Sequence, residues 1–106
     1  MITWPCIFKL DGDSELLYLG SNSQLVTELE GLIWDSSDRL IDSYGQCFLV
    51  KIEGDGYLLE SEGIKLTLSE VTQLVQEHEF AKAEMCLTKI HFSSIAEAIT
   101  SLSLEK

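Results

Sequence analysis

Three carboxylates at alternate positions near the start of the chain could bind a divalent cation. Asp11, Asp13 and Glu15 follow the spacing i, i+2, i+4, which resembles the start of a calcium loop built from oxygen ligands. An EF-hand loop also requires glycine at its sixth position and glutamate at its twelfth, but Leu16 and Asn22 stand there. We therefore interpret the segment first as an acidic hairpin turn, and a divalent-metal-binding domain is the alternative.

Cysteine and histidine side chains in the C-terminal half could supply a nucleophile or zinc ligands. Cys86 and His91 are separated by an odd number of residues, which places them on opposite faces of a single strand. His78 could approach Cys86 in space, but it lies on an apolar helical stripe and is better interpreted as a core-edge histidine. Structural zinc sites show paired ligands at short spacing, and this chain has no such pair. The sequence leaves open whether these three residues meet, and a thiol-dependent enzyme is the least favoured hypothesis.

Sequence signatures of other chemistry are missing. The chain has no phosphate-binding loop, no glycine-rich dinucleotide fingerprint, no Gly-x-Ser-x-Gly elbow and no His-Glu-x-x-His helix. Its carboxylates are numerous, but nothing singles out two of them in a shared apolar pocket. We therefore expect no catalytic residues and no cofactor.

The acidic residues are concentrated in the middle of the chain. The 106 residues carry 18 acidic and 7 basic side chains, a net charge of −11, and residues 11–62 alone carry −10. Binding nucleic acid by neutralising phosphates needs a basic surface, and an anionic membrane would repel the chain, so neither partner is expected. The ordinary interpretation is a solubilising surface. The alternative is a patch that attracts a protein with a basic surface, with Asp35, Asp38 and Asp42 as candidate residues.

Two aromatic residues complete the candidate partner-binding set. Trp34 and Phe80 each lie beside a predicted break in a secondary-structure element, where an aromatic side chain can anchor a protein interface. The partner could be another protein or a second copy of the chain.

Length and cysteine usage indicate one cytoplasmic domain spanning residues 1–106. A chain of this length with 45% hydrophobic residues can build one core but not two. Cys6, Cys47 and Cys86 are odd in number and scattered, which is typical of reduced thiols. No signal peptide or membrane-spanning run is predicted.

Alternating apolar residues predict that the chain begins with a strand. The residues on its apolar face are Ile2, Trp4, Cys6, Phe8 and Leu10. A turn over 11–14 leads to a returning strand over 15–19. Pro5 cannot donate a ladder hydrogen bond, which predicts an edge strand or a bulge.

Three capping boxes predict the starts of three helices. They are Ser21 with Gln24, Thr67 with Glu70, and Ser94 with Glu97. Further strands are predicted at 40–41, 46–53, 57–60 and 85–92, so the order along the chain is ββα, then βββ, then αβα. One apolar stripe on each helix predicts packing on a single sheet face. The fold class is therefore α+β, with a mostly antiparallel sheet of about five strands and three helices packed on it.

Four segments resemble a known family. They are Trp4-Pro5-Cys6-Ile7-Phe8-Lys9, Asp38-Arg39-Leu40-Ile41-Asp42-Ser43, Cys86-Leu87-Thr88-Lys89-Ile90 and Ser94-Ile95-Ala96-Glu97-Ala98-Ile99. The chain is similar over nearly its whole length to a family of small bacterial proteins known only as a domain of unknown function. The resemblance implies a stand-alone cytoplasmic domain and brings no activity, ligand or catalytic residue with it.

The leading functional hypothesis is therefore a small, acidic, non-enzymatic domain that binds another protein. Metal binding through Asp11, Asp13 and Glu15 is the alternative.

Overall fold

The structure is a computed structural model that describes residues 2–10, 12, 15–31, 34, 38–54, 56–82 and 92–104. Its strands are β1 (Cys6–Lys9), β2 (Leu16–Leu19), β3 (Arg39–Ile41), β4 (Gln46–Glu53) and β5 (Gly56–Lys65). Its helices are α1 (Asn22–Gly31), α2 (Leu68–Lys82) and α3 (Ile95–Ser101), and a 3₁₀ turn follows at Leu102–Leu104. The α+β class and the order of these elements are confirmed. The predicted strand over 85–92 lies mostly outside the described residues.

The five strands form one antiparallel sheet in the order β2-β1-β3-β4-β5. Phe8 lies opposite both Leu17 and Leu40, and Leu40 lies opposite Phe48. The prediction of an edge position or a bulge for β1 is wrong, since β1 pairs regularly on both sides. Pro5 immediately precedes the first paired residue, so its missing N–H removes no ladder hydrogen bond.

Both faces of the sheet are covered, which corrects the prediction that all helices share one face. One cluster includes residues of α2 and α3: Ile7, Leu16, Ile41, Cys47, Val71, Val75, Ala98, Ile99 and Leu102. The other includes residues of α1: Cys6, Phe8, Leu19, Leu25, Leu29, Leu40, Phe48 and Val50. The physical reason is that the inner strands carry consecutive apolar residues, which point alternately to the two faces.

At all three predicted helix starts the Ser or Thr side chain accepts from the backbone N–H three residues later. Thr67 and Glu70 bond reciprocally, with Thr67 N donating to Glu70 Oε1 at 2.9 Å and Glu70 N donating to Thr67 Oγ1 at 3.1 Å. Glu97 N donates to Ser94 Oγ at 3.1 Å. In the first box Gln24 N donates to Ser21 Oγ at 3.3 Å, while the Gln24 side chain turns towards β2.

None of the helices in the described ranges combines the length and the apolar character needed to cross a bilayer.

Candidate functional site

Side chains from two helices cover the edge of the sheet at β2. Leu16 N donates to His78 Nδ1 on α2 at 2.9 Å. Gln24 on α1 accepts from Gly20 N at 2.8 Å, and its Nε2 donates to Tyr18 O at 3.5 Å. Three backbone groups at this edge, the N–H of Leu16, the C=O of Tyr18 and the N–H of Gly20, are therefore bonded to helix side chains. His78 is buried at this contact, which confirms it as a core-edge histidine.

The opposite edge of the sheet, at β5, is open within the described ranges. β5 has ten residues, from Gly56 to Lys65, and β4 is its one partner strand among the described residues. The N–H of Gly63 is satisfied inside β5, by Ser61 Oγ at 3.2 Å. Within the described ranges the outer edge of β5 therefore has no partner strand, and the N–H and C=O groups of such an edge can pair with a further strand.

Several large apolar side chains are exposed on the strands at this side of the sheet. The large hydrophobic residues that the described part of the chain exposes are Tyr44 (59%), Ile52 (73%), Leu58 (44%) and Ile64 (45%). Leu58 and Ile64 lie on β5 itself, where an exposed apolar side chain can contact a strand that adds to the edge.

The acidic residues of β5 are neutralised by neighbouring strands. Lys51 Nζ lies 2.8 Å from Glu60 Oε1. Arg39 holds Glu62 with two hydrogen bonds, from Nε at 2.8 Å and from Nη2 at 3.0 Å. The β5 edge therefore carries little net charge, although the chain as a whole is strongly acidic.

A bulge ends the regular part of β5. Phe48 lies opposite Ser61 and Gln46 lies opposite Lys65, so β5 has two more residues than β4 in this interval. Gly63 has φ +73° there, a conformation that glycine adopts without strain. Because bulges increase the local twist, a further strand would pair regularly with Gly56 to Ser61 and not beyond.

The structure buries two of the predicted patch residues, which makes their assignment to an exposed acidic surface wrong. Asp42 is 0% exposed and Asp38 is buried as well. Asp42 Oδ1 accepts from Tyr44 N and Gln46 N, each at 2.9 Å. Its Oδ2 accepts from Thr3 N at 3.0 Å and from Gln46 Nε2 at 3.1 Å. The carboxylate thus ties the turn before β4 to the N-terminal segment.

Trp34 lies next to β5 and is half-buried. Its Nε1 donates to Leu29 O at 3.1 Å, and its ring meets that of Tyr57 edge-on, with centroids 5.9 Å apart. The Trp34 side chain therefore packs against the face of β5 on which Tyr57 lies. Asp35 and the side chain of Phe80 lie outside the described part of the structure, so their predicted roles stay predictions.

The thiol hypothesis finds no nucleophile among the cysteines described. Cys6 and Cys47 are buried, and their Sγ atoms donate to Thr3 O and Gly45 O. Burial, and secondarily the charge of Asp42, raises the pKa of the Cys6 thiol. Burial is also the largest cause that raises the pKa of Cys47, and protonated thiols are poor nucleophiles. Cys86 and His91 lie outside the described residues.

The metal hypothesis stays a prediction. Glu15 is exposed, whereas Asp11 and Asp13 are not among the described residues. Across the ranges that are described, no three His, Cys, Asp or Glu residues form a cluster that could hold a metal ion.

A groove of about 340 Å³ lies between α2 and the sheet. Its lining residues are Lys9, Arg39, Ile41, Leu66, Glu70, Gln73, Leu74 and Glu77. Glu62 holds Arg39, and the capping box holds Glu70. The groove therefore combines both signs of charge with no buried polar group directed at a ligand.

Sequence analysis missed the open edge. The one available signal was the consecutive apolar run Tyr57-Leu58-Leu59 in a strand that returns from a tight turn. In such a run Leu58 points to the opposite face of the strand from Tyr57 and Leu59. Leu58 therefore stays exposed when the core covers only the face of Tyr57 and Leu59.

The fold and this edge define a small α+β domain with helices on both faces of its sheet and, within the described residues, one open sheet edge. Comparison with known proteins agrees with the predicted resemblance. The model of DUF4144, a family described as a protein structure with unknown function, matches residues 4–102, and the chain belongs to this family. Its fold is similar to an NMR structure of a protein from Shewanella amazonensis, with a TM-score of 0.72 and 24% identity. That match covers 100% of this chain and 91% of the other. A search of curated proteins gave no match.

Proposed function

We propose that this chain is a non-enzymatic domain that binds another polypeptide by adding a strand to the edge of β5. The observation that carries the proposal is the difference between the two edges of the sheet. Histidine and glutamine side chains cover β2, whereas β5 is open in the described structure and adjoins the exposed hydrophobic residues. Strand addition supplies backbone hydrogen bonds, and neighbouring side-chain contacts supply specificity.

The charge pairs on β5 bear on what kind of segment would bind. Glu60 and Glu62 already contact Lys51 and Arg39, so the edge offers little unpaired negative charge to a basic segment. Apolar contacts at Leu58 and Ile64 would dominate recognition. An attraction of basic partners by the net charge of −11 would act at longer range and would steer encounter rather than select the bound segment.

Binding would take place in a reducing, cytoplasmic compartment under this proposal. The free thiols of Cys6 and Cys47 support it. They belong to the clusters on opposite faces of the sheet, so they do not pair with each other.

Matched lysine substitutions test the proposal. Leu58→Lys places a charge on the open strand, and edge lysines oppose strand pairing. Ile52→Lys makes the same chemical change on β4, where no further strand can add. We expect affinity purification followed by mass spectrometry to recover a polypeptide with the wild type and with Ile52→Lys but not with Leu58→Lys, and purified components to reproduce the difference. Equal recovery with all three chains would contradict the proposal.

A further inference from the structure

We infer that the polypeptide bound at β5 is a second copy of this chain. The two β5 strands would pair antiparallel across a twofold axis and join two five-stranded sheets into one. This inference rests on the proposed function, because it names the occupant of the same edge. Homodimers with twofold symmetry are the commonest oligomers, and their interfaces must be self-complementary.

Local charge permits self-pairing at this edge. Two chains that each carry −11 repel one another wherever their unpaired acids approach. On β5, however, Glu60 is bound to Lys51 and Glu62 is bound to Arg39. The β5 edge therefore brings two copies together without opposing unpaired carboxylates. The exposed Leu58 would be buried by an identical apolar surface.

The sequence of β5 restricts the register of the pair. A twofold axis through Glu60 or Glu62 would oppose identical carboxylates, and an axis through Ser61 would oppose Glu60 and Glu62. Like charges directly opposite each other on neighbouring strands are destabilising.

An axis through Leu58 gives the best complementarity of the remaining registers. Leu58 then lies opposite Leu58 of the second copy, and Tyr57 lies opposite Leu59, which are favourable apolar pairs. An axis through Leu59 would instead place Leu58 opposite the carboxylate of Glu60. The geometry thus points to a pair centred on Leu58, within the regular part of β5.

A disulfide cross-link tests this register. In a Cys86→Ser background, Leu58→Cys places two thiols opposite each other across the axis, with Cβ atoms about 5 Å apart, near the separation that a disulfide requires. Glu60→Cys is the matched control on the same strand face, and its thiols would lie about 14 Å apart. We expect oxidation to convert most of the Leu58→Cys chain into a covalent dimer and little of the Glu60→Cys chain.

Opposite charges at the axis provide a second test that does not depend on oxidation. Leu58→Lys and Leu58→Glu should each be monomeric, because each opposes its own charge across the axis. Their mixture should dimerise, because lysine then faces glutamate. Light scattering should give 11.9 kDa for each variant alone and twice that mass for the mixture and the wild type. A mixture that stays monomeric, together with no cross-link at Leu58→Cys, would overturn the inference.

The two proposals fail in different ways. If the wild type is monomeric but Leu58→Lys loses a captured partner that Ile52→Lys retains, self-pairing is wrong and binding at the edge stands. If the wild type is monomeric and the outer amides of β5 are protected from hydrogen exchange, the chain itself covers the edge and both proposals are wrong.

Discussion

At the scale of single residues, a buried carboxylate and a glycine build the turn before β4. Asp42 accepts four hydrogen bonds, three of them from backbone N–H groups. Gly45 follows with φ +85°, and its C=O accepts from Leu66 N at 2.8 Å. Asp42 and Gly45 thus have structural roles that their residue types alone do not distinguish from those of solvated turn positions.

Replacing Asp42 should destabilise the fold strongly. Asp42→Ala removes the acceptor of the part-buried N–H groups of Thr3, Tyr44 and Gln46, and we expect the free energy of unfolding to fall by about 2–4 kcal/mol. Urea denaturation measures the change. Glu30→Ala, at an exposed position on α1, should change the free energy by less than about 0.5 kcal/mol. Equal effects of the two substitutions would disprove this role of Asp42.

Gly45→Ala should be destabilising because the position lacks both space and a permitted backbone conformation. A Cβ at Gly45 would clash with Leu66 O, and its φ lies in the left-handed region. We expect a loss of about 3 kcal/mol or more in unfolding free energy. Gly31→Ala is the control, since nothing lies within 4 Å of its added Cβ, and it should be neutral or stabilising by up to about 1 kcal/mol. Thermal or urea unfolding that ranks Gly31→Ala below Gly45→Ala would refute this explanation.

The buried thiols predict a loss of stability at alkaline pH. Burial raises the pKa of Cys6 and Cys47 above the ordinary value of 9.0. Above pH 9 the thiols of the unfolded chain ionise while those of the folded chain stay protonated, so the free energy of unfolding falls as pH rises. Below that pH the two states bind the same protons at these sites. Cys6→Ala should make the decline above pH 9 shallower by up to about 1.4 kcal/mol per pH unit, measured by urea denaturation between pH 8 and pH 11. An unchanged slope would show that Cys6 does not contribute.

At the scale of secondary-structure elements, some features depend on residues close in sequence and others depend on the surrounding fold. The capping boxes were correctly predicted because the Ser or Thr side chain and the N–H that it accepts from are three residues apart. The edge position or bulge predicted for β1 was wrong. Pro5 shows only that one N–H donor is missing, and the sheet loses a hydrogen bond only if the strand begins before Pro5. The faces covered by the helices were also predicted wrongly. Amphipathic helices show which of their own faces is apolar but not which face of the sheet receives it.

Removing a capping side chain should have a moderate effect on the stability of the fold. Thr67→Ala loses the acceptor for Glu70 N, and the free energy of unfolding should fall by about 1 kcal/mol. Ser69→Ala changes an exposed hydroxyl in the first turn of the same helix and should have an effect near zero. Urea denaturation measures the free energy of unfolding of both variants. No loss for Thr67→Ala would mean that water replaces the capping hydrogen bond without a change in stability.

At the scale of the whole molecule, helices pack on both faces of the sheet, and its two edges differ within the described residues. The acidic patch was the alternative interpretation of the charge of −11. Four of the described acidic residues in segment 11–62 do not contribute to such a patch, because Asp38 and Asp42 are buried and Glu60 and Glu62 are paired. A run of charges in sequence becomes a surface patch only if the fold leaves the side chains exposed and unpaired on one side.

The salt dependence of self-association tests whether long-range repulsion between two acidic chains opposes their pairing. Two copies of this chain repel one another at long range, so screening by salt should strengthen self-association. Sedimentation of the purified chain from low salt to about 0.5 M should therefore show an association that tightens with ionic strength, since the screening length falls below about 10 Å. Self-association that weakens steadily with salt would contradict this prediction, because it would show that attraction between opposite charges holds the two copies together.

The α+β class, the order of the elements and the helix starts could be read from the amino-acid sequence alone. These features depend on hydrophobic periodicity and on contacts between residues a few positions apart. The burial of Asp42 beside Thr3, the distribution of helices over both faces and the difference between the β2 and β5 edges became visible only in the folded chain. Each of these depends on residues distant in sequence, such as His78 meeting Leu16. Chain connectivity brings such residues together only when the whole sheet assembles.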